Sequence, residues 1–255
     1  MPRSLLITGA PNSRKTTSLM GWRKAARPGV VHIVTCPREE GWETIPPTEP
    51  GLKHHLIEVT YNADGTPVDW SAIVSRVRVV VSEILAGKHG PANTIAIDGF
   101  HKYIEALLGS LTSGKNFAGE SFNGMLIYPK LQTRAAELIH LLKSSTVNYV
   151  VFTSWDGYEK DRDTDEDSME GGRIVKAPRH KWPDLPGKLA KQVLGLINTV
   201  HATCDGTVAR WQTRPAGDVQ GCGLKRPPAI CEKIPLYVPQ DWPNLEKLMY
   251  PEGYA

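Results

Sequence analysis

Short apolar runs alternate with amphipathic stretches over much of the chain. Apolar runs bounded by polar or turn residues predict buried strands at residues 4–8, 30–35, 94–97 and 149–153, with a weaker one at 56–60. Apolar positions at helical spacing predict helices between them, at residues 16–26, 70–85 and 128–144. Strands that alternate with helices predict an α/β fold, in which a mainly parallel sheet carries helices on both faces.

The pattern changes after residue 156. The charged residues 157–181 predict a mobile loop, as do the Gly- and Ser-rich residues 109–124. A helix at 187–198 and a hairpin within 200–213 are expected to follow. A Pro-rich segment with a short helix near 242–249 comes last. We therefore expect a core over residues 1–228 and a Pro-rich tail, residues 229–255, packed on it.

Composition and charge narrow the class of protein. A chain of 255 residues, 40% of them hydrophobic, is long enough to bury a sizeable core. A net charge of +3 is too small for a general polyanion binder, so contacts with nucleic acid must come from local patches. No apolar stretch is long enough for a signal segment or a membrane span, so we expect a cytoplasmic protein without membrane contact. The four cysteines are far apart and predict buried thiols rather than a zinc site.

The most informative motif follows the first predicted strand. Residues 9–17, the phosphate loop, match G-x-x-x-x-G-K-[ST] except that Arg14 occupies the second glycine position. Such a loop binds phosphate through backbone N–H groups at the start of a helix. Lys15 would reach the β- and γ-phosphates and the Thr16 hydroxyl would bind Mg²⁺. The sequence thus predicts ATP and Mg²⁺ as cofactors, with nucleotide-binding residues Gly9, Ala10, Pro11, Asn12, Ser13, Arg14, Lys15, Thr16 and Thr17.

A second motif supports the first. The apolar run at residues 94–97 ends in Asp98, where an enzyme with a phosphate loop needs a carboxylate to hold Mg²⁺ through water. Thr16 and Asp98 are therefore the predicted metal residues, and Lys15 and Asp98 are predicted to be catalytic.

Hydrolysis also needs a group that orients the attacking water. Glu39 and Glu40 follow the second predicted strand and would lie at the same sheet edge, and we favour Glu40. His101 would contact the γ-phosphate or cap a helix. The polar residues that end or follow the strand at 149–153 would sense the γ-phosphate or cap that strand; they are Thr153, Ser154 and Asp156.

Two groups of cations have further candidate roles. Lys225 and Arg226, with Arg210 and Arg214 before them, could reach a neighbouring subunit's ATP site as catalytic finger cations or form a surface basic cluster. Basic residues beside Trp182 could bind single-stranded nucleic acid through phosphate contacts and base stacking. The predicted nucleic-acid-binding residues, which lie in the two predicted loops, are Lys115, Arg173, Lys176, Arg179 and Lys181.

The order of these elements resembles the RecA-like ATPases of bacteriophages, in the group of single-strand-annealing and recombination ATPases. The resemblance spans about residues 4–228 and is carried by GAPNSRKTT, TIAIDGFHKY, YVVFTSW, LPGKLAKQVLGLINTV and GLKRP. It implies a RecA-like core that assembles as a homo-oligomer, a ring or filament, on single-stranded DNA. It also implies ATP bound between subunits, with Lys225 and Arg226 acting in trans and other phage recombination or replication proteins as candidate partners. Arg14 and the acidic residues at 159–170 depart from the group's pattern.

Several functions fit these residues. The leading hypothesis is an ATPase that assembles on single-stranded DNA in recombination or replication. A DNA-packaging or translocating motor, a nucleotide-bound adaptor with little turnover, and a small-molecule kinase are the alternatives. From the 255 residues we expect no nuclease domain of the kind that packaging enzymes usually carry, and no acceptor-substrate lid is evident for a kinase.

Overall fold

The computed structural model describes residues 1–39, 41–46, 49–112, 124–158, 168–170, 173–175, 181–186 and 188–253. In chain order the strands are β1 Arg3–Thr8, β2 Val31–Thr35, β3 Leu52–Leu56, β4 Thr94–Asp98, β5 Tyr149–Thr153, β6 Asp156–Tyr158, β7 Ser168–Glu170, β8 Arg173–Val175, β9 Lys181–Pro183, β10 Asn198–Asp205, β11 Val208–Gln212 and β12 Tyr237–Pro239. Eight of them form one sheet in the order β3-β2-β4-β5-β1-β10-β11-β12. The first six in that order run parallel, and β11 and β12 are added by antiparallel pairing.

Helices cover both faces of the sheet. The α-helices are α1 Lys15–Ser18, α2 Trp70–Leu85, α3 Phe100–Thr112, α4 Gly124–Lys143, α5 Leu189–Leu196, α6 Pro228–Cys231 and α7 Trp242–Met249, and 3-10 helices span Leu19–Lys24 and Gly41–Thr44. Buried side chains of α2, α3, α4 and α5 form one hydrophobic cluster against the sheet. The 3-10 helix Leu19–Lys24 and α7 pack on the other face, where Trp22 and Trp242 stack with ring centroids 4.9 Å apart. The predicted α/β class with a mostly parallel sheet is confirmed.

The parallel strands bring their carboxyl ends to one edge of the sheet. The phosphate loop follows β1, Glu39 follows β2 across a short turn, Asp98 ends β4, and Ser154 follows β5. In open α/β sheets this edge is where ligands bind. Polar residues distant in the sequence therefore meet there.

The third strand differs from the prediction. β3 occupies Leu52–Leu56 rather than residues 56–60, and it pairs with β2 so that His54 lies opposite Ile33. It is the edge strand of the sheet and is only partly buried. An edge position tolerates polar residues, and its sequence LKHHL therefore lacks the apolar run that marks the inner strands.

The helices agree with the sequence pattern in part. α2 spans the predicted residues, and the Asp69 carboxylate caps it by accepting from the N–H groups of Ser71 and Ala72. The helix predicted at 16–26 is α-helical only in α1 and continues as 3-10 helix to Lys24. The predicted loop at 109–124 is wrong at its start, because α3 extends to Thr112; residues 113–123 lie outside the described part of the chain.

The segment after β5 contains strands that the charge pattern did not predict. β6 pairs with β9, and β7 pairs with β8, both antiparallel. The rest of residues 159–180 lies outside the described ranges. Further on, β10 and β11 form the predicted hairpin, and the short helix near 242–249 is α7. Within the described residues, no helix combines the length and the apolarity needed to cross a membrane.

Candidate phosphate-loop site

The phosphate loop has a backbone conformation that restricts its side chains. Gly9 has φ +150°, and a Cβ there would come within 2.5 Å of the Ala202 carbonyl oxygen on β10 and 2.7 Å of Ser13 Oγ. Asn12 and Arg14 both lie in the left-handed region, with φ of 65° and 62°. Glycine is therefore required at position 9 by steric contact, and the loop turns sharply enough to bring successive peptide groups around one centre.

The structure accommodates Arg14 at the position where the motif has its second glycine. The position demands the left-handed conformation that glycine adopts freely, and for arginine that conformation costs about 1–2 kcal/mol. The side chain is exposed and points away from the loop, with Nη1 3.4 Å from the carbonyl oxygen of Thr207 in the β10–β11 turn. The substitution therefore strains the backbone, while the arginine side chain lies against the β10–β11 turn.

Lys15 folds back over the loop. Its Nζ donates to the carbonyl oxygens of Gly9 at 2.8 Å and Ala10 at 2.7 Å, and it lies 3.3 Å from Ser13 Oγ. The side chain is buried, and desolvation lowers its pKa, although the nearby carboxylates of Glu39, Asp156 and Asp98 act in the opposite direction. For a buried ammonium whose hydrogen-bond partners are neutral carbonyl oxygens, binding of an anion is favourable.

Thr16 and Asp98 meet across the sheet edge. The Thr16 hydroxyl lies 3.0 Å from Asp98 Oδ1 and 3.1 Å from Oδ2, and the Thr153 hydroxyl donates to Oδ1 at 2.6 Å. Thr153 in turn accepts from the Gly99 N–H at 2.9 Å. The structure places the Thr153 hydroxyl on the Asp98 carboxylate, and contact with a γ-phosphate stays a prediction.

Asp98 is a fully buried carboxylate with few compensating charges. Desolvation raises its pKa, while hydrogen bonds from Thr153 and Thr16 and the charge of Lys15 lower it. Mg²⁺ prefers oxygen ligands, keeps several waters, and is commonly held by one or two protein groups plus substrate phosphates. Thr16 and Asp98 fit that requirement. No cluster of three or more His, Cys, Asp or Glu side chains suited to a metal occurs among the residues that the structure describes.

Of the two candidate glutamates, Glu39 is the one that the structure describes at this edge. Glu39 is buried, and its Oε1 lies 3.1 Å from His101 Nε2 in the first turn of α3. A Cβ on Gly99 would come within 2.2 Å of Glu39 Cγ, so the glutamate packs directly on the turn after β4. Glu40, the favoured candidate, lies outside the described residues and stays a prediction.

On the other flank of the loop, the partly buried Asp156 pairs with the buried His201. Asp156, at the start of β6, lies 3.1 Å from His201 Nε2 on β10, and its N–H donates to the Gly9 carbonyl oxygen at 3.3 Å. The pKa of Asp156 is lowered: burial alone would raise it, but the hydrogen bond and charge of His201 outweigh burial. Asp156 thus links β6, the phosphate loop and β10, and its charge acts on Lys15.

The remaining residues of the phosphate loop lie around the same turn. Ala10, Pro11 and Asn12 are exposed at its tip, and Ser13 is buried. The Thr17 hydroxyl lies 2.8 Å from that of Thr44, in the 3-10 helix after β2.

The candidate finger cations are not at the site of their own chain. Lys225 lies near the amino-terminal edge of the sheet, where its backbone N–H donates to Asn198 Oδ1 at the start of β10. The Arg226 guanidinium lies 4.5 Å from the Tyr250 ring centre and donates through Nε to the Met249 carbonyl oxygen. Arg210 is exposed on β11, and Arg214 Nη1 lies 3.4 Å from the Ile234 carbonyl oxygen. Action on a neighbouring subunit stays a prediction.

The predicted nucleic-acid residues are only partly described. Lys115, Lys176 and Arg179 lie outside the described residues, and Arg173 is described only as part of strand β8. Lys181 begins β9 and forms an ion pair with Asp218 at 3.1 Å. A common nucleic-acid surface for these residues stays a prediction.

The expectation of buried thiols is confirmed for Cys36 and Cys222 and is wrong for Cys204 and Cys231, which are only partly buried. All four are unpaired with one another. Burial raises the pKa of the Cys222 thiol to about 12 and that of Cys36 further. His201, three residues before Cys204, is paired with Asp156.

Sequence reasoning missed one contact to the loop. The Gln240 side chain, after β12, donates through Nε2 to the carbonyl oxygen of Ser13 at 2.9 Å. No local motif marks this residue, because the contact arises only when β12 joins the sheet.

The whole sequence was also compared with known proteins. No protein-family profile matches the sequence, and no curated protein sequence matches it.

Proposed function

We propose that this chain binds ATP with Mg²⁺ on the phosphate loop and hydrolyses it. One observation carries the proposal: the Thr16 hydroxyl and the Asp98 carboxylate, 82 residues apart, meet within 3.1 Å beside the buried ammonium of Lys15. A hydroxyl, a carboxylate and a lysine at the mouth of a loop between a strand and a helix are the groups that bind a metal–triphosphate complex. Phosphate oxygens would replace the carbonyl oxygens of Gly9 and Ala10 as partners of Lys15.

Thr16 and Asp98 would hold Mg²⁺, which would supply positive charge to stabilise the phosphate groups. Glu39 is the described residue best placed to orient water, because it lies at the same edge and its charge reaches Lys15. In the proposed reaction a water oxygen attacks the γ-phosphorus, and the bond from that phosphorus to the β–γ bridging oxygen breaks. ADP leaves, and the proton lost by the water passes to Glu39 and then to the released phosphate or to solvent.

The proposal extends to a RecA-like core that assembles as a ring or filament on single-stranded DNA in phage recombination or replication. The support is the resemblance of the motifs around Lys15, Asp98, Thr153 and Lys225 to that group, together with the parallel strand arrangement. In this proposal Lys225 and Arg226 act on the next subunit. Their distance from the site of their own chain is compatible with that role.

Phosphate release from ATP and Mg²⁺, measured with and without single-stranded DNA, tests the proposal. We expect DNA to raise the rate, and Lys15→Ala to lower it by about two orders of magnitude because one electrostatic contact to the phosphates is lost. Lys24→Ala, an exposed lysine outside the loop, is the matched control and should behave as wild type.

The outcomes separate the alternatives. A chain that neither binds a non-hydrolysable ATP analogue nor releases phosphate refutes the proposal. Tight binding of the analogue without phosphate release favours the nucleotide-bound adaptor. Stimulation by double-stranded DNA alone favours a translocating motor, and equal rates with and without DNA count against assembly on DNA.

A further inference from the structure

His101 is held in a fixed orientation next to the phosphate-loop site. It lies in the first turn of α3 and is only 6% exposed. Its Nδ1 accepts from the backbone N–H of Trp155 at 3.4 Å, and its ring packs on the Trp155 indole with centroids 4.7 Å apart. The imidazole therefore connects the turn after β4 to the segment that follows β5.

The protonation state of His101 follows from its surroundings. Desolvation, with smaller effects of the Lys102 and Lys15 charges, lowers its pKa to about 3, so the ring is neutral at physiological pH. Because Nδ1 accepts a hydrogen bond, the single ring proton resides on Nε2. This buried N–H points toward Glu39 Oε1 at 3.1 Å, yet it has no well-aligned acceptor in the described part of the chain.

Glu39 is confined from the other side by Gly99. Any side chain at position 99 would collide with Glu39 Cγ, and the positive φ of 79° independently favours glycine there. The carboxylate of Glu39 thus lies between the β4–α3 turn and the imidazole. A small rotation of Glu39 would align it with the Nε2–H of His101.

We propose that His101 is a positioning residue that holds the Glu39 carboxylate in the orientation needed to activate water. This inference rests on the proposed ATP hydrolysis and deepens it. Once Glu39 has rotated into line, the neutral imidazole donates one hydrogen bond to its carboxylate and fixes the orientation of that group. His101 itself exchanges no proton with the substrate. The contact with Trp155 sets the ring's position, so that the donor stays aimed at Glu39.

Two substitutions of the full chain separate positioning from packing. His101→Phe keeps an aromatic ring against Trp155 but removes both nitrogens, whereas His101→Gln keeps an N–H donor near the place of Nε2. We expect His101→Phe to lower kcat about tenfold or more, since a misplaced general base loses much of its contribution. His101→Gln should recover most of that loss. The affinity for a non-hydrolysable ATP analogue should stay within about threefold of wild type in both variants, because His101 acts through Glu39 rather than on the nucleotide.

A double-mutant cycle gives the decisive comparison. If His101 acts through Glu39, then His101→Phe should cost no further activity in a Glu39→Gln background. Additive losses would overturn the inference, as would a His101→Phe enzyme with wild-type kcat or a His101→Gln enzyme no better than His101→Phe. Loss of analogue affinity in parallel with kcat would instead show a direct phosphate contact, and would also overturn it.

The failure of this inference is distinguishable from failure of the proposed function. A wild-type chain that releases no phosphate refutes both. A wild-type chain that hydrolyses ATP while His101→Phe is unaffected refutes only the role of His101. Nitrogen NMR of the histidine rings provides a readout independent of turnover: a proton on Nδ1 rather than Nε2 of His101 would contradict the geometry on which the role depends. Thermal melting of each variant verifies that it is folded.

Discussion

Gln240 and Ser13 lie 227 residues apart in the sequence and are joined by a hydrogen bond from the Gln240 side-chain amide to the Ser13 carbonyl oxygen, 2.9 Å long. The same amide nitrogen lies 3.2 Å from the carbonyl oxygens of Thr203 on β10 and Arg210 on β11. The C-terminal segment therefore fixes the phosphate loop against the neighbouring hairpin. Such ordering of the loop would lower the entropy cost of the proposed nucleotide binding.

Removal of this contact should weaken nucleotide binding without unfolding the chain. A side-chain hydrogen bond of this kind contributes about 1 kcal/mol, so Gln240→Ala should weaken the affinity for an ATP analogue about fivefold. Gln220→Ala removes another glutamine amide that donates to a backbone carbonyl, that of Gly217, away from the loop, and is the matched control. Titration with a fluorescent analogue measures both. Equal affinities in the two variants would show that the tail does not order the loop.

The inner strands and the motif residues could be predicted from the sequence for a physical reason. Strands covered on both faces are short continuous apolar runs, so β4 and β5 were evident, and Lys15, Thr16 and Asp98 belong to local patterns with known spacing. The edge strand β3 was misplaced because it is half-buried and polar. Its neighbours, not its own sequence, determine its place.

The helix α3 and the contacts of Glu39 differ in how far the sequence could predict them. Phe100, Tyr103, Ile104 and Leu107 have helical spacing and are buried, so a signal for α3 was present beside the glycines that suggested a loop. The His101–Glu39 and Gln240–Ser13 contacts carry no such signal. They depend on which strands become neighbours in the sheet, and this is decided by tertiary packing.

The buried Glu246 should be the residue of the C-terminal segment on which stability most depends. Its Oε1 accepts from Arg3 Nη1 at 2.6 Å and from the Tyr149 hydroxyl at 2.7 Å, and its Oε2 accepts from the Ala26 N–H at 2.7 Å. Breaking a buried ion pair by removing one partner costs about 3–5 kcal/mol, and we expect Glu246→Ala to lower the free energy of unfolding by about that amount. Urea denaturation measures it. Glu246→Gln keeps an acceptor and should lose less, and the exposed Glu252→Gln should lose nothing measurable.

The stacked histidines of β2 and β3 should make stability fall with acid. His32 Nδ1 lies 3.0 Å from His55 Nε2, and His89, Lys53 and Glu83 surround the pair, with His54 on the same strand. Desolvation first, and then the neighbouring cations, lower the pKa of His55 to about 4, and desolvation also lowers that of His32. Because the unfolded chain then binds protons more readily than the folded one, the free energy of unfolding should decrease as pH falls from about 6.5 toward 4.

A variant isolates the contribution of these rings from the other titrating groups. His55→Leu should flatten the dependence of unfolding free energy on pH in that window, whereas His140→Leu, at an exposed site on α4, should leave it as in wild type. Urea denaturation at pH 7, 6, 5 and 4 gives the comparison. Parallel curves for wild type and His55→Leu would refute the explanation.

The strain at Arg14 should be measurable with a pair of substitutions. Arg14→Ala and Arg14→Gly both remove the exposed side chain, but only glycine adopts φ near 62° without a steric penalty. We expect the glycine variant to be more stable than the alanine variant by about 1 kcal/mol. Both should bind the ATP analogue as wild type does, since the side chain points away from the loop. An alanine variant as stable as the glycine variant would mean that residue 14 leaves the left-handed region.

Asp98 should affect apo stability and metal binding in opposite directions. Burial raises the pKa of its carboxyl group, so the carboxylate destabilises the folded chain as pH rises above the ordinary aspartate range. Asp98→Asn retains oxygen and shape beside Thr16 and Thr153 but removes that charge. The variant should therefore be at least as stable as wild type at pH 7 in the absence of nucleotide. Its affinity for an ATP analogue should no longer increase when Mg²⁺ is added, because the carboxylate proposed to hold the ion is lost. Thermal melting tests the expected stability, and analogue titration with Mg²⁺ or with EDTA tests the response to the ion. The exposed Asp205→Asn is the control and should keep the response to Mg²⁺.

An Asp98→Asn variant that still responds to Mg²⁺ would remove Asp98 from the proposed metal site. A large loss of stability without nucleotide would mean that the buried carboxylate is chiefly structural.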